Sequence, residues 1–175
     1  MRRCGIVAAL VAVVVDQVTK AWALEALWPP YSDGVTLLPV LNLRLGFNTG
    51  VTFGIFAESA AGAVWLLVLV KLGVVAFLVH WLRRSTMRLE CAALGLIIGG
   101  ALGNIADRLR IGAVVDFIDA HYGGWHWPTF NMADCWIVVG VALLMLQMVL
   151  EPEAGDPESE RDPAVASEAP KGTPS

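Results

Sequence analysis

Charge is scarce in this sequence. Only 16% of its 175 residues are Asp, Glu, Lys or Arg, 57% are hydrophobic, and the mean hydropathy is +0.64. An ordinary soluble domain is excluded by that balance, and nothing in it points to a nucleic-acid partner. Cysteine is scarcer still. Cys4, Cys91 and Cys135 fit no zinc spacing, so free thiols are expected, with no metal and no cofactor. His80, His121 and His126 also lack a partner spacing and read as interface residues.

What is present is hydrocarbon in long runs. Four apolar stretches, Ile6 to Leu27, Ala60 to Leu82, Leu89 to Ala106 and Met132 to Leu150, are each about long enough to cross a ~30 Å core, which takes ~20 helical residues. The first opens with "MRRCGIVAALVAVVV", as a secretory signal would. However, "DQVTKAWALEALW" prolongs the helical pattern and no small-x-small cleavage site follows, so a span is expected.

Basic residues set the orientation. Arg2 and Arg3 precede the first span and Arg83, Arg84 and Arg88 fill the link between the second and third, against Arg44, Arg108 and Arg110 on the other side. Both termini are therefore expected in the cytoplasm. Trp22, Trp28, Trp65, Trp125, Trp127 and Trp136 then fall at the outer interface and Trp81 at the inner one.

Beyond Leu150 the composition changes abruptly. "EPEAGDPESERDPAVASEAPKGTPS" holds seven acids, two bases and five of the nine prolines, so it carries −5 of the net −4 and leaves the body at +1. Too little apolar surface is available there for folding, and residues 151–175 read as a disordered acidic cytoplasmic tail beside a membrane domain of residues 1–150. Between spans one and two, apolar residues alternate with Asn42, Arg44 and Gly46 from Leu41 to Phe47, which predicts a half-buried strand followed by a turn at Asn48 to Gly50.

Ionisable groups inside the spans cost at least ~2.5 kcal/mol each on insertion scales, so they tend to face a bundle interior or wet cavity and mark function. Asp16 and Lys20 share a helix face and can pair; Asn104, Asp107 and Arg108 end span three, beside Gly99, Gly100 and Gly103, which would admit a neighbouring helix. In "FNMADCWIVVG", Asn131 followed three residues later by Asp134 is close to a capping box. Lys71, midway along span two, either snorkels or faces a polar groove. Spacing alone leaves the choice of reactive carboxylates open among Asp107, Asp116, Asp119 and Asp134.

Taken in order, "DQVTK", "NTGVTFG", "GNIADRL", "VVDF" and "FNMAD" resemble the lipoprotein signal peptidase family, also called signal peptidase II, over about Gly5 to Leu150. The resemblance implies an all-α membrane protein, a four-transmembrane-helix bundle with a small periplasmic β-sheet and a periplasmic helix or loop. It implies a catalytic pair at Asp116 and Asp134, with Asp16, Lys20, Asn48, Asn104, Arg108 and Asn131 binding substrate or supporting the pair. The implied activity is that of an aspartic endopeptidase in the bacterial inner membrane. Its substrate would be a prolipoprotein carrying diacylglycerol on its lipobox cysteine, cut just N-terminal to that cysteine, with the site near the periplasmic face. Membrane lipid is the other expected partner, and the working unit is expected to be a monomer. One departure from the family pattern is that Val51 and Thr52 stand before Phe53, where small residues are usual.

The chemistry fits on general grounds. Two close, poorly solvated carboxyls share one proton, so the ionised one can draw a proton from water while the neutral one donates to the substrate. Asp116 and Asp134 are 18 residues apart, and Gly123 and Gly124 between them allow a turn or hinge. A proton-coupled small-solute transporter using Asp16, Lys20 and Asp107 as a relay is the alternative, but it needs polar groups at every depth, whereas most here crowd the outer third. A scaffold protein would need neither the paired aspartates nor a cavity.

Overall fold

The computed structural model describes residues 2–50 and 60–150. The tail and the Val51 to Phe53 departure lie outside them. Within them lie four helices, α1 (Arg2–Ala26), α2 (Ala60–Arg84), α3 (Arg88–Ile111) and α4 (Met132–Leu150), with strands β1 (Val35–Leu38) and β2 (Leu41–Asn48) between α1 and α2 and strands β3 (Val114–Tyr122) and β4 (Trp125–His126) between α3 and α4. Each helix contains a stretch long and apolar enough to cross a membrane.

In α3 67% of that stretch is buried, against 22%, 22% and 11% in α1, α2 and α4, so α3 is the helix the others pack around. Its glycines explain why. A methyl at Gly99 would lie 2.5 Å from the Ala9 carbonyl oxygen of α1, and one at Gly100 would strike the Ala133 carbonyl of α4. Both neighbours approach to backbone contact, on adjoining faces of one helix, as small residues permit. On the α2 side the packing is by side chains: Val68, Val75, Leu78 and Leu82 meet Leu94, Ile97, Ile98, Ala101 and Ile105 in one apolar cluster.

All four strands gather at one end of the bundle in a single antiparallel order, β1-β2-β3-β4. β2 covers the predicted strand, but its alternation is interrupted, because an extra residue between Leu43 and Gly46 bulges against β3 and leaves both Leu45 and Gly46 buried. Leu45 still packs with Ala23 of α1, with Leu27 just beyond its end, and with Val115 and Phe117 of β3, which seats the sheet on the helix ends. β1, β3 and β4 went unforeseen: β1 is exposed along its length, β4 has two residues, and the first four residues of β3, Asp116 among them, are all buried, which leaves no period of two. Gly123 and Gly124, at φ 57° and 84°, form the two-residue turn that pairs Tyr122 with Trp125. Among the described residues no further helix lies at this end, and the link from β2 to α2, where the expected extra element could fall, lies outside them.

The opposite end carries Arg2, Arg3, Arg83, Arg84 and Arg88. Cys4 and Cys91 lie toward it, Cys135 lies toward the sheet, and all three are free thiols.

If backbone contact at the α3 glycines holds the bundle together, Gly99→Ala should cost roughly 1–3 kcal/mol through overpacking, read as a lower Tm in micelles. Gly73→Ala, with nothing within 4 Å of the added methyl, is the control and should leave Tm unchanged or slightly raised. Equal Tm values for the two variants would remove the glycines from that role.

Candidate active site

Local pairing explains how two carboxylates 18 residues apart meet. After the Gly123-Gly124 turn the chain returns along β3: Phe130 N–H donates to the Ile118 carbonyl at 3.0 Å, and the Phe130 carbonyl accepts from Phe117 N–H and Ile118 N–H at 3.0 and 2.9 Å. Asp116 stands two residues before Ile118, and Asn131, the next residue after Phe130, begins α4. The strand thus delivers Asp116 to the first turn of the helix that carries Asp134.

Asn131 is fully buried and touches both acids. Its Nδ2 donates to Asp116 Oδ1 at 2.6 Å, its Oδ1 accepts from Asp134 N–H at 3.1 Å, and Asp134 Oδ2 accepts from Asn131 N–H at 3.3 Å. The last two bonds are the capping box anticipated from the spacing. Capping and carboxylate pairing are therefore one arrangement here rather than rival readings. Asn104 completes it: Nδ2 donates to Asp134 Oδ1 at 2.9 Å, while Oδ1 accepts from Asn131 Nδ2 at 3.2 Å and Lys20 Nζ at 3.1 Å.

Behind these amides lies a buried charge cluster. Lys20 Nζ stands 2.9 Å from Asp16 Oδ2 and 2.7 Å from Asp107 Oδ2. Asp16 Oδ1 accepts from Ala133 N–H at 2.9 Å, so a carboxylate of α1 satisfies a free donor in the first turn of α4. Gly103 gives Asp16 its room, since a methyl there would collide with the carboxylate. Asp107 Oδ2 also accepts from Val115 N–H at 3.2 Å, beside Asp116, and its Oδ1 accepts from Gln17 Nε2 at 3.1 Å.

Arg108 is buried, with Nη1 donating to the Asn104 carbonyl at 3.3 Å and Nη2 beside Gly50. Asn48 Oδ1 accepts from Gly50 N–H at 2.8 Å, forming the predicted turn, and its amide lies near enough to act on Asp116. Lys71 shares the α3-facing side of α2 with Val68 and Val75. From there it lies within electrostatic reach of Arg108, Asp134 and Asp116.

Burial pushes the Asp116 carboxyl up to about 6; hydrogen bonds from Asn48 and Asn131 act the other way, and the Asp134 charge adds to the rise. Asp119 belongs to a separate group. Its carboxylate accepts from His126 Nδ1 at 2.8 Å and Asn42 Nδ2 at 3.4 Å, and His126 stacks on His121 with centroids 5.0 Å apart. Burial alone would raise its pKa, but the bonds from His126 and Asn42 and the Arg44 charge outweigh it and hold the group below the usual carboxylate range.

Apart from Asp119, every site residue singled out from the sequence therefore lies in or beside one network. Sequence reading missed Gln17, which the "DQVTK" run contains, and the hold of Asp107 on β3. It also missed the Asp119–His126 bond, for which the only signal was a glycine pair between two histidines.

Comparison with known proteins follows the same chain segment. The family described as "Signal peptidase (SPase) II" matches residues 8–150. The lipoprotein signal peptidase of Rhodopseudomonas palustris is 43% identical over 153 residues, covering 85% of this chain and 93% of its own. That of Beijerinckia indica is 41% identical over 156 residues, covering 89% and 93%. A bacterial membrane enzyme solved by the in meso method at 1.9 Å resolution superposes with a TM-score of 0.72 at 30% identity, covering 83% of this chain and 92% of its own.

A carboxyl raised from 3.8 to about 6 keeps its proton in the folded protein where the unfolded chain has already released it. Its contribution to stability is full below about pH 4 and is lost as the pH rises through about 6, on the order of 3 kcal/mol in all. The Tm of the wild type relative to Asp116→Asn should accordingly fall between pH 4 and 7. A constant difference across that range would show that Asp116 is not held protonated by its surroundings.

Proposed function

The chain belongs to the signal peptidase II family and is an aspartic peptidase of the inner membrane that removes the signal peptide from prolipoproteins; from that premise we propose that Asp116 and Asp134 perform the cleavage. The observation that carries this assignment is Asn131, buried and hydrogen-bonded to both residues at once. Asp116, whose proton is held up to about pH 6, is the donor of the pair. Asp134, receiving Asn104 Nδ2 and Asn131 N–H in the first turn of α4, is the ionised partner.

In the reaction Asp134 takes a proton from water, and the water oxygen bonds to the scissile carbonyl carbon as Asp116 protonates the carbonyl oxygen. Collapse of that adduct breaks the C–N bond, the proton held by Asp134 passes to the leaving nitrogen, and the carbonyl oxygen returns its proton to Asp116. Asn104 and Asn131 keep the carboxyls oriented, and Lys20 and Asp16 hold those amides and the α4 terminus. Arg108 and Asn48 flank Asp116 where a substrate backbone would lie. The substrate reading extends to a diacylglyceryl-bearing cysteine just C-terminal to the cut. An apolar groove of about 450 Å³ between Trp127, Phe130, Asp134 and Val138 supports it, since it opens from the bilayer side onto Asp134.

A transport path finds no support. Toward the arginine end the bundle interior closes on Leu78, Leu82, Cys91, Leu94 and Ile97, which offer no ionisable relay.

We take residues 1–150 as the peptidase domain and the remainder as a tail outside it. One chain is taken as the working unit, because it supplies both carboxyls and the groups that touch them. The arginine end is assigned to the cytoplasm and the sheet to the periplasm, following the basic bias. In spheroplasts, an impermeant thiol reagent should label a cysteine placed at Gly124 and spare the exposed Cys4; labelling of Cys4 would reverse the assignment, while the buried Cys91 stays silent in either orientation.

For the pair itself, Asp116→Asn and Asp134→Asn should each lower cleavage of a lipidated substrate by roughly 10²–10⁴-fold, with the double variant scarcely worse, because the two act as a unit. Asp119→Asn, which loosens the β3–β4 hairpin without touching the pair, should keep most activity. Folded Asp134→Asn cleaving at a tenth of the wild-type rate would leave Asp134 with its capping role alone.

A further inference from the structure

At the arginine end, far from the catalytic pair, α1 and α2 hardly touch and leave between them a groove of about 510 Å³ floored by α3. Leu10 and Val13 of α1, Val79 of α2, and Ile98 and Leu102 of α3 make it hydrocarbon throughout, and Arg2 and Arg83 stand at its mouth. A second recess bounded by Arg2, Arg3, Ser85 and Thr86 adjoins that mouth. Among the described residues neither Arg2 nor Arg83 pairs with a carboxylate.

We propose that this groove binds one anionic phospholipid, with an acyl chain along Leu10, Val13 and Leu102 and the phosphate between Arg2 and Arg83. Length favours a lipid of a single leaflet. From Arg2 to Val13 the groove follows eleven helical steps of α1, about 16 Å at 1.5 Å per residue, which is half of a ~30 Å hydrocarbon core. Charge favours an acidic headgroup, since unpaired guanidiniums at headgroup depth bind phosphate bidentately and basic pockets between spans collect anionic lipid. The leaflet is the one at the arginine end, which the proposed orientation makes cytoplasmic.

The chain beyond Leu150 leaves the bundle at this same end and is acidic, so it is the obvious competitor. Its composition argues against it. "EPEAGDPESERDPAVASEAPKGTPS" could meet the arginines but has one Val and no Leu, Ile or Phe to fill a hydrocarbon groove. Bound lipid would also bridge α1 and α2 where the protein itself provides little contact, so it should stabilise the bundle.

The test is native mass spectrometry of the full chain extracted from phosphatidylcholine vesicles containing a minor share of phosphatidylglycerol. One phosphatidylglycerol per chain should be retained several-fold over phosphatidylcholine. Arg2→Gln with Arg83→Gln should bring retention down to the phosphatidylcholine level, and Val13→Phe, which fills the deep end of the groove, should expel the lipid with both arginines intact. Both variants should cleave substrate normally, which verifies folding, because none of these residues touches the pair. Equal retention of the two lipids by the wild type, or selectivity surviving the double substitution, overturns the proposal. So does selective retention that appears only in a chain stopped at Gly155, which would give the arginines to the tail. A dimer lost on Val13→Phe would give the groove to a second copy.

Discussion

A single ammonium group holds the functional end of this molecule together. Lys20, 2% exposed, spends its three protons on Asp16, Asp107 and Asn104, and each acceptor passes the constraint to a different element. Asp16 grips the first turn of α4 through Ala133 N–H, Asp107 grips β3 through Val115 N–H, and Asn104 reaches Asp134. Without the cation two carboxylates would face each other across a few ångströms of buried space. Breaking such a pair by removing one partner typically costs about 3–5 kcal/mol, which is why an expensive buried lysine persists at the heart of an apolar bundle.

The cluster also accounts for the position of the two carboxyls proposed to react. Asp116 rides on a strand and Asp134 on a helix, and neither element alone fixes the distance between them. Asp107 sets the strand and Asp16 sets the helix, while Lys20 fixes both relative to α1 and α3. Preorganisation of this kind places the cost of arranging charges in folding rather than in the reaction, so under the proposed mechanism the pair would meet substrate already oriented. Lys71 adds positive charge from the α2 side, within reach of both aspartates, and its place between Val68 and Val75 on the packed face of α2 explains why a lysine stands mid-span.

Much of this was legible in the sequence, and what was not has a physical reason. The four helices follow from run length against bilayer thickness, and the i,i+4 spacing announced the Asp16 and Lys20 pair. The capping box at Asn131 could be read from four residues. β3 could not, because its first four residues are all buried and a strand covered on both faces carries no alternation to detect. The bulge in β2 was invisible for a related reason: the residue types alternate straight through Leu41 to Phe47, and the extra residue that breaks the burial pattern shows only in the pairing with β3. The pairing of Phe130 with Ile118 and the bond from Asp107 to Val115 N–H join backbone to segments whose approach only the assembled fold determines.

Asn131 shows how one side chain can meet a folding demand and a chemical one with different atoms. A helix start needs an acceptor for an unpaired N–H, which Ser, Thr, Asp or Asn could supply equally. A pair of carboxyls sharing a proton needs a neutral donor, which Asp cannot provide without adding a third negative charge and which a hydroxyl, with a single proton, could give to only one partner. The amide has both: Oδ1 closes the cap on Asp134 N–H, and the two protons of Nδ2 go to Asp116 and Asn104. Its backbone N–H then returns a bond to the Asp134 carboxylate. Four polar contacts from one buried residue leave it a single orientation, and that orientation transmits the geometry of the α4 terminus directly to Asp116. Stability of the helix start and alignment of the two aspartates are thus the same property of this site, and neither can be altered alone by substitution at position 131.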